Sequence, residues 1–263
     1  MLWPMELYTF LQADSADWLT PAWPAPSRVH ACFTTRSGGS SLAPYQGLNL
    51  GTHVGDVLAH VQANRLQLRQ LLGVRPVFLD QVHGQAVLEV QPDSADGAQA
   101  DAAYCAAPGL ACTVMVADCL PVLLCNADGS AVSAAHAGWR GLLGQQGVGV
   151  LERVAERHRG PDTLAWLGPC IGPTAFEVGA EVRQACVAQD PAAAACFAPA
   201  APGKWLADLP GLARQRLQAL GIHRIYGNDG SAPWCTMGNP LRFFSYRRDG
   251  VCGRMAACIW LAD

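Results

Sequence analysis

Three apolar runs of this chain end on a single nitrogen or sulfur ligand set among small or turn-forming residues: Gln81-Val82-His83-Gly84, Ala117-Asp118-Cys119-Leu120-Pro121 and Ala135-His136-Ala137-Gly138-Trp139-Arg140-Gly141. Two imidazoles and one thiolate are the donor set of a catalytic zinc that keeps a fourth coordination position open. The three ligands lie too far apart in sequence for a zinc finger, so any shared site has to be assembled by the fold. Each residue taken alone also has a plainer reading. Cys119 would be one more buried thiol among eleven, and His83 a turn histidine satisfied by Gln81 or Gln85. His136, flanked by alanines, has little local polarity to satisfy an imidazole.

The chain has 263 residues, 51% of them hydrophobic and only 15% charged. This length supports a large core, and the low charge argues against long solvated arms. A net charge of −3 removes the broad positive field that nucleic-acid binding uses, so no DNA or RNA partner is expected. Arginines gathered in a cleft still hold a small anion, because local geometry decides that contact; phosphate is the expected one.

Eleven cysteines is an odd number, and several sit inside apolar runs. Cys112, Cys125 and Cys258 read as small buried hydrophobes and not as a disulfide framework. Met1 to Glu6 shows neither a basic region nor an uninterrupted apolar one, so no secretory signal is evident. The apolar stretch from Leu110 to Cys125 is broken by Asp118 and Pro121 and falls short of a membrane span. A soluble protein of the reducing cytoplasm, with no membrane partner, is the expectation.

Residues 1–27, rich in Trp, Pro and Ala, read as an N-terminal extension or the first edge of the fold, with residues 28–263 forming one catalytic domain. Val29 to Thr35 is strand-like until Ser37 to Ser41 breaks it. Asp56 to Leu72 carries apolar residues at helical spacing, Val57, Val61, Leu66 and Leu68 among them, with Gly73 placed to end the helix. Strands are expected at Val77–Leu79, Ala86–Val90, Cys112–Val116, Val122–Cys125 and Ala131–Ala135, which sets every candidate ligand at a strand end. Helices are expected over Gly144–Arg159, beginning at Phe176–Val182, and over Leu209–Gly221. A final strand pair, Phe243–Tyr246 and Met255–Leu261, would turn at Asp249-Gly250.

Read together, the ligand segments, Phe33-Thr34-Thr35-Arg36-Ser37-Gly38-Gly39-Ser40, Gly47-Leu48-Asn49-Leu50-Gly51, Gly168-Pro169-Cys170-Ile171-Gly172 and Phe244-Ser245-Tyr246-Arg247-Arg248-Asp249-Gly250 resemble the YfiH family, also called the laccase-domain, polyphenol oxidase or peptidoglycan editing factor family. The resemblance implies an α+β single-domain multilayer sandwich of mixed β-sheets with flanking helices, like the cytotoxic necrotizing factor type of cysteine hydrolase. It also implies a zinc enzyme with His83, Cys119 and His136 as ligands, copper being the alternative metal. The implied reactions are phosphorolysis of adenosine, inosine, guanosine and methylthioadenosine, and deamination of adenosine. The implied partners are purine nucleosides and phosphate, the protein being a monomer or weak homodimer.

Around that centre, Asp118 is the candidate proton shuttle or orienting group, since the H-x-E segment of known zinc deaminases is missing. Arg36 with Ser37 and the following glycines offers a guanidinium, hydroxyls and backbone amides to an oxyanion, although the same stretch also reads as a polar turn. Arg140 is a second candidate for phosphate. Asn49 is either a turn-stabilising amide or a substrate hydrogen-bonder, and Arg247 is held in reserve. Three other readings stand beside the phosphorylase. A multicopper laccase needs many more histidines than the seven present. An amidase that edits a misincorporated amino acid in a peptidoglycan precursor would use Cys119 as nucleophile. A metal-dependent binding module would turn nothing over.

Overall fold

The computed structural model describes residues 9–10, 17–158 and 160–263. The rest of the predicted N-terminal extension, residues 1–8 and 11–16, lies outside the described residues, as does Arg159. Two stacked sheets form the centre. One has the strand order β1 (Thr9–Phe10), β2 (Leu19–Thr20), β3 (Val29–Phe33), β16 (Met255–Leu261), β8 (Leu110–Val116), β4 (Arg75–Asp80), β6 (Ala98–Gln99). The other runs β15 (Arg224–Gly227), β11 (Leu164–Leu167), β9 (Leu120–Cys125), β10 (Val132–Ala137), β7 (Ala102–Cys105), β5 (Val87–Glu89). Both are mixed: β4 lies parallel to β8 and β5 to β7, whereas β16 and β10 pair antiparallel with their neighbours. A small third sheet joins β12 (Glu177–Gly179), β14 (Lys204–Ala207) and β13 (Phe197–Pro199).

Strand alternation sorts the side chains into layers. On β8, Cys112, Val114 and Val116 point between the two large sheets, where they meet Leu123, Cys125, Val132 and Ala134 of the other sheet. Ala111 and Met115 point the opposite way, toward helix α1 (Leu58–Leu72). On β9, Leu120, Val122 and Leu124 pack against α2 (Trp139–Leu143), α3 (Val150–Ala155) and α5 (Leu209–Ala219) through Leu142, Val150, Leu151 and Leu212. The order is therefore helix, sheet, sheet, helices, an α+β multilayer sandwich. Because both faces of both sheets are covered, β8, β9 and β10 are buried at every position, and β8 and β9 read in sequence as nearly continuous apolar runs and not as alternating ones.

The helix expected from Asp56 begins at Leu58 and ends where Gly73 turns left-handed, φ 69°. Its buried stripe is Val61, Asn64, Leu68 and Leu72; Val57 and Leu66 are exposed. Asn64 earns its buried place by hydrogen bonds to Ser41 (3.0 Å) and the carbonyl of Asn49 (2.8 Å). Other expectations are corrected. The helix over 144–159 is confined to Val150–Ala155, since Gly144 and Gly147 adopt positive φ ahead of it. Phe176–Val182 is first a strand, β12, and becomes α4 (Ala180–Gln189) only at Ala180. Phe243–Tyr246 is not a strand, and no hairpin forms at Asp249-Gly250. The Ser245 hydroxyl instead accepts the Arg248 N–H and caps the single turn α6 (Tyr246–Asp249), with Gly250 at φ 68°.

All eleven cysteines are free thiols, and Cys112, Cys125 and Cys258 are wholly buried. No helix among the described residues is long and apolar enough to cross a membrane. Trp18 and Leu19 sink into the sandwich.

Candidate metal centre

His83 lies on the loop that leaves β4, in a left-handed conformation at φ 59° that a side-chain-bearing residue adopts only under constraint. The constraint is a buried carboxylate. Asp101, fully buried ahead of β7, accepts the backbone N–H groups of Val82 (3.2 Å), His83 (2.9 Å) and Gly84 (2.6 Å). Gln81 does not serve His83; its amide bridges to both backbone groups of Met115 at 2.8 and 2.7 Å, continuing the β4–β8 ladder through a side chain.

Cys119 sits in the crossing from β8, in one sheet, to β9, in the other. The β9–β10 register pairs Leu120 with Ala137 and Pro121 with His136, which brings Cys119 beside Gly138. Asp118 makes this crossing at φ 93°. Its carboxylate accepts the Thr236 hydroxyl and the Arg247 backbone N–H, both at 2.6 Å, and its carbonyl accepts the Ile171 N–H at 2.9 Å. The strained residue before the thiol is thus tied to three other segments.

His136, at the end of β10 and 4% exposed, places Nδ1 2.8 Å from Asp101 Oδ1. A carboxylate there takes Nδ1–H, leaving the Nε2 lone pair for a metal. The ligand atoms of His83, Cys119 and His136 all lie within 4.8 Å of one another, with Cys119 Sγ 3.9 Å from His83 Nε2. Bonds of about 2.3 Å to sulfur and about 2.0 Å to nitrogen in a tetrahedral zinc put donor atoms about 3.5 Å apart, so this donor set fits one ion. Gly138 leaves the room: a Cβ there would lie 3.0 Å from Cys119 Sγ and 3.3 Å from the His83 ring.

The electrostatics of the metal-free protein agree. Burial alone would push the Cys119 thiol up, but the His136 charge and hydrogen bonds from His136 and His83 override it and bring it down to about 6. Burial likewise opposes charge on His136, and the Cys119 thiolate with the Asp101 carboxylate raises it to about 9. For Asp101 the penalty of burial is outweighed by His136 and the loop N–H groups, which hold it below the usual carboxylate range.

These groups open into a cavity of about 500 Å³. Asp118, Arg140 and Arg247 line it, as the sequence led one to expect, together with Trp139, Phe176 and Tyr246. Arg140 lies over the Trp139 ring at 4.4 Å and Arg247 over Phe176 at 5.3 Å. Arg36 and Ser37 are not brought here: they line a separate depression, where Arg36 donates to the carbonyls of Pro240 (3.0 Å) and Gln46 (3.3 Å) and covers Phe244. Asn49 is fully buried and takes the first of its two readings. Its amide donates to Asp56 (2.8 Å) and accepts from the backbone of Gly51 (3.0 Å) and Arg254 (2.9 Å). Sequence reasoning missed Asp101, whose only signal was one acid among alanines entering a buried strand.

The family model described as multi-copper polyphenol oxidoreductase laccase matches residues 30–262. A Pseudomonas aeruginosa protein named purine nucleoside phosphorylase is 51% identical over 249 residues, spanning 94% of this chain and 99% of the relative. The Escherichia coli protein named purine nucleoside phosphorylase YfiH is 50% identical over 247 residues, 92% of this chain and 98% of its own. Among solved structures, a Neisseria meningitidis protein of family model DUF152 superposes with a TM-score of 0.88 at 45% identity, covering 94% of this chain and 99% of the other. With family model, relatives and fold in agreement along nearly the whole sequence, the chain belongs to the YfiH laccase-domain family.

Proposed function

We propose that this chain is a zinc-dependent purine nucleoside phosphorylase, acting on adenosine, inosine, guanosine and methylthioadenosine, that also deaminates adenosine to inosine. The observation that carries the reading is the convergence of an open His-Cys-His donor set on a cavity walled by aromatic rings and guanidiniums. The names of the relatives point the same way.

In phosphorolysis an oxygen of phosphate bonds to C1′ as the glycosidic bond breaks and its electron pair leaves with the base. The products are base and ribose 1-phosphate. Trp139, Phe176 and Tyr246 offer flat apolar surface matched to a purine. Arg140 and Arg247 supply positive charge for the phosphate dianion. A metal held by His83, Cys119 and His136 supplies Lewis acidity to an oxygen or nitrogen of the substrate. Asp118, with both carboxylate oxygens accepting hydrogen bonds, holds the Cys119 turn and the Arg247 backbone in place. Deamination replaces the C6 amino group with oxygen from water and releases ammonia. The eleven free thiols suit a reducing cytoplasm.

A multicopper oxidase needs several copper centres, whereas the His, Cys and acidic residues among those described form a single cluster able to hold a metal. Incubation of the zinc-loaded protein with adenosine, with and without phosphate, tests the proposal. Adenine plus ribose 1-phosphate, formed only with phosphate, is the expected result, with inosine as the deamination product. Cys119→Ala should abolish both; phosphorolysis retained in that variant refutes the site.

A further inference from the structure

Three arginines line the cavity, and they are held in different ways. Arg140 and Arg247 are exposed and lie against Trp139 and Phe176. Arg254, directly before β16, is half-buried and fastened through its backbone. Its N–H donates to the Asn49 side chain at 2.9 Å, and its carbonyl accepts the Leu50 N–H at 3.1 Å. The next residue of that segment, Gly51, admits the arginine stem, since a Cβ there would sit 2.8 Å from Arg254 Cγ. Gly253 is equally constrained, its Cβ position lying 2.7 Å from the Phe244 ring. The Gly47-Leu48-Asn49-Leu50-Gly51 segment is thus a cradle that aims one guanidinium.

The head group is fixed as well. Nη1 donates to the carbonyls of Cys252 (3.0 Å) and Gly253 (3.1 Å) and approaches Cys252 Sγ at 3.6 Å. No acceptor among the described residues takes Nε or Nη2, and Arg254 forms no ion pair. These two nitrogens are the edge a guanidinium offers to an oxyanion in two parallel hydrogen bonds. The one carboxylate lining the cavity, Asp118, already accepts from Thr236 and Arg247. A preorganised arginine loses less freedom on binding than a mobile one.

We propose that Arg254 is the anion anchor of the cavity and that its ligand is a tetrahedral oxyanion, inorganic phosphate bound as co-substrate. The choice of co-substrate rests on the phosphorylase reading; the anion site does not. Arg254→Met keeps the aliphatic stem over Gly51 and removes the guanidinium. For inosine phosphorolysis its apparent KM for phosphate should rise about 10- to 100-fold, the range expected for losing hydrogen bonds to a charged group, with KM for inosine changed less than threefold. Arg254→Lys should recover part of the loss. An unchanged KM for phosphate in Arg254→Met overturns the proposal.

Calorimetric titration with inorganic phosphate separates the two readings. If the wild-type protein releases no ribose 1-phosphate from any purine nucleoside, the phosphorylase reading falls and the titration decides Arg254 by itself. Phosphate binding lost in Arg254→Met then sustains the anion site, whereas equal binding in both proteins, or none in the wild type, overturns it. Adenosine 5′-monophosphate serves as the competing source of the same chemistry. Dependence on Arg254 for the nucleotide but not for free phosphate overturns the co-substrate assignment.

Discussion

Asp101 and His136 are joined twice: the His136 Nδ1 lies 2.8 Å from the Asp101 carboxylate, and the His136 backbone N–H donates to the Asp101 carbonyl at 2.7 Å. The same carboxylate folds the loop carrying His83. One side chain therefore orients two of the three candidate metal ligands, one through its imidazole and the other through its backbone.

Asp101→Asn should weaken zinc binding about 10- to 100-fold, as loss of a ligand-orienting carboxylate generally does. An amide cannot serve both the imidazole N–H and the three loop N–H groups with one acceptor oxygen. Chelator competition gives the affinity. Nitrogen-15 spectra of the metal-free variant should show the His136 titration moving down from about 9, because the carboxylate that helps hold the imidazolium is gone, a change that loosened packing alone does not produce.

At Gly138, alanine would set its methyl 3.0 Å from the Cys119 sulfur. Overpacking of this kind costs about 1–3 kcal/mol. The obstructing atoms are ligand side chains, so the cost should appear mainly as lost zinc affinity, with the urea midpoint of the metal-free protein nearly unchanged.

In the metal-free protein Cys119 ionises at about 6, whereas burial pushes Cys125 up to about 12 and holds Cys112 and Cys170 high. Iodoacetamide should therefore label Cys119 selectively, with a rate that rises through pH 6 and not through the ordinary thiol range. Bound zinc should block the reaction. The sign of the stability effect follows. Because the folded thiol ionises below its unfolded value only while His136 keeps its proton, the stabilisation the pair brings lies between about 6 and about 9 and fades as pH falls through about 6. The stability gap between wild type and Cys119→Ala should close over that window.

His158 is buried away from the cavity, between the Ser133 hydroxyl (2.8 Å) and the Asn126 amide oxygen (2.9 Å). Burial lowers its pKa to about 4. The unfolded chain accepts that proton near 6.5 and the folded one refuses it, so stability declines as pH drops between those values. The loss by pH 4.5 is roughly 2 kcal/mol. Urea unfolding of wild type and His158→Gln at pH 7 and pH 4.5 checks it: the variant should lack this part of the acid sensitivity.

The cluster of His83, Cys119 and His136 was legible because each interrupts an apolar run with a residue whose chemistry the run itself cannot use. The arginines were legible only in part: Arg140 and Arg247 line the cavity, whereas Arg36 does not. Arg36 stands beside glycines and serines that suit an oxyanion, yet its guanidinium is spent on the carbonyls of Pro240 and Gln46. Arg254 carries no local signal, and its placement comes from Asn49 and Gly51, more than two hundred positions earlier in the chain. Asp118 showed its place beside Cys119 but not its partners Thr236 and Arg247, which only folding supplies. Helices were misplaced where glycines at positive φ delayed them, and the strand expected at Phe243–Tyr246 gave way to a capped turn.

Local sequence by itself determined which segments are buried, where α1 stops, and which residue types wait at the strand ends, because periodicity, capping and burial are short-range properties. Tertiary structure alone decided that the thiolate of Cys119 faces two imidazoles, that a single buried carboxylate serves both histidines, and which arginines line the cavity. Those relations depend on two sheets stacking in one register, and pairings between distant segments have no counterpart in the residues that flank each partner.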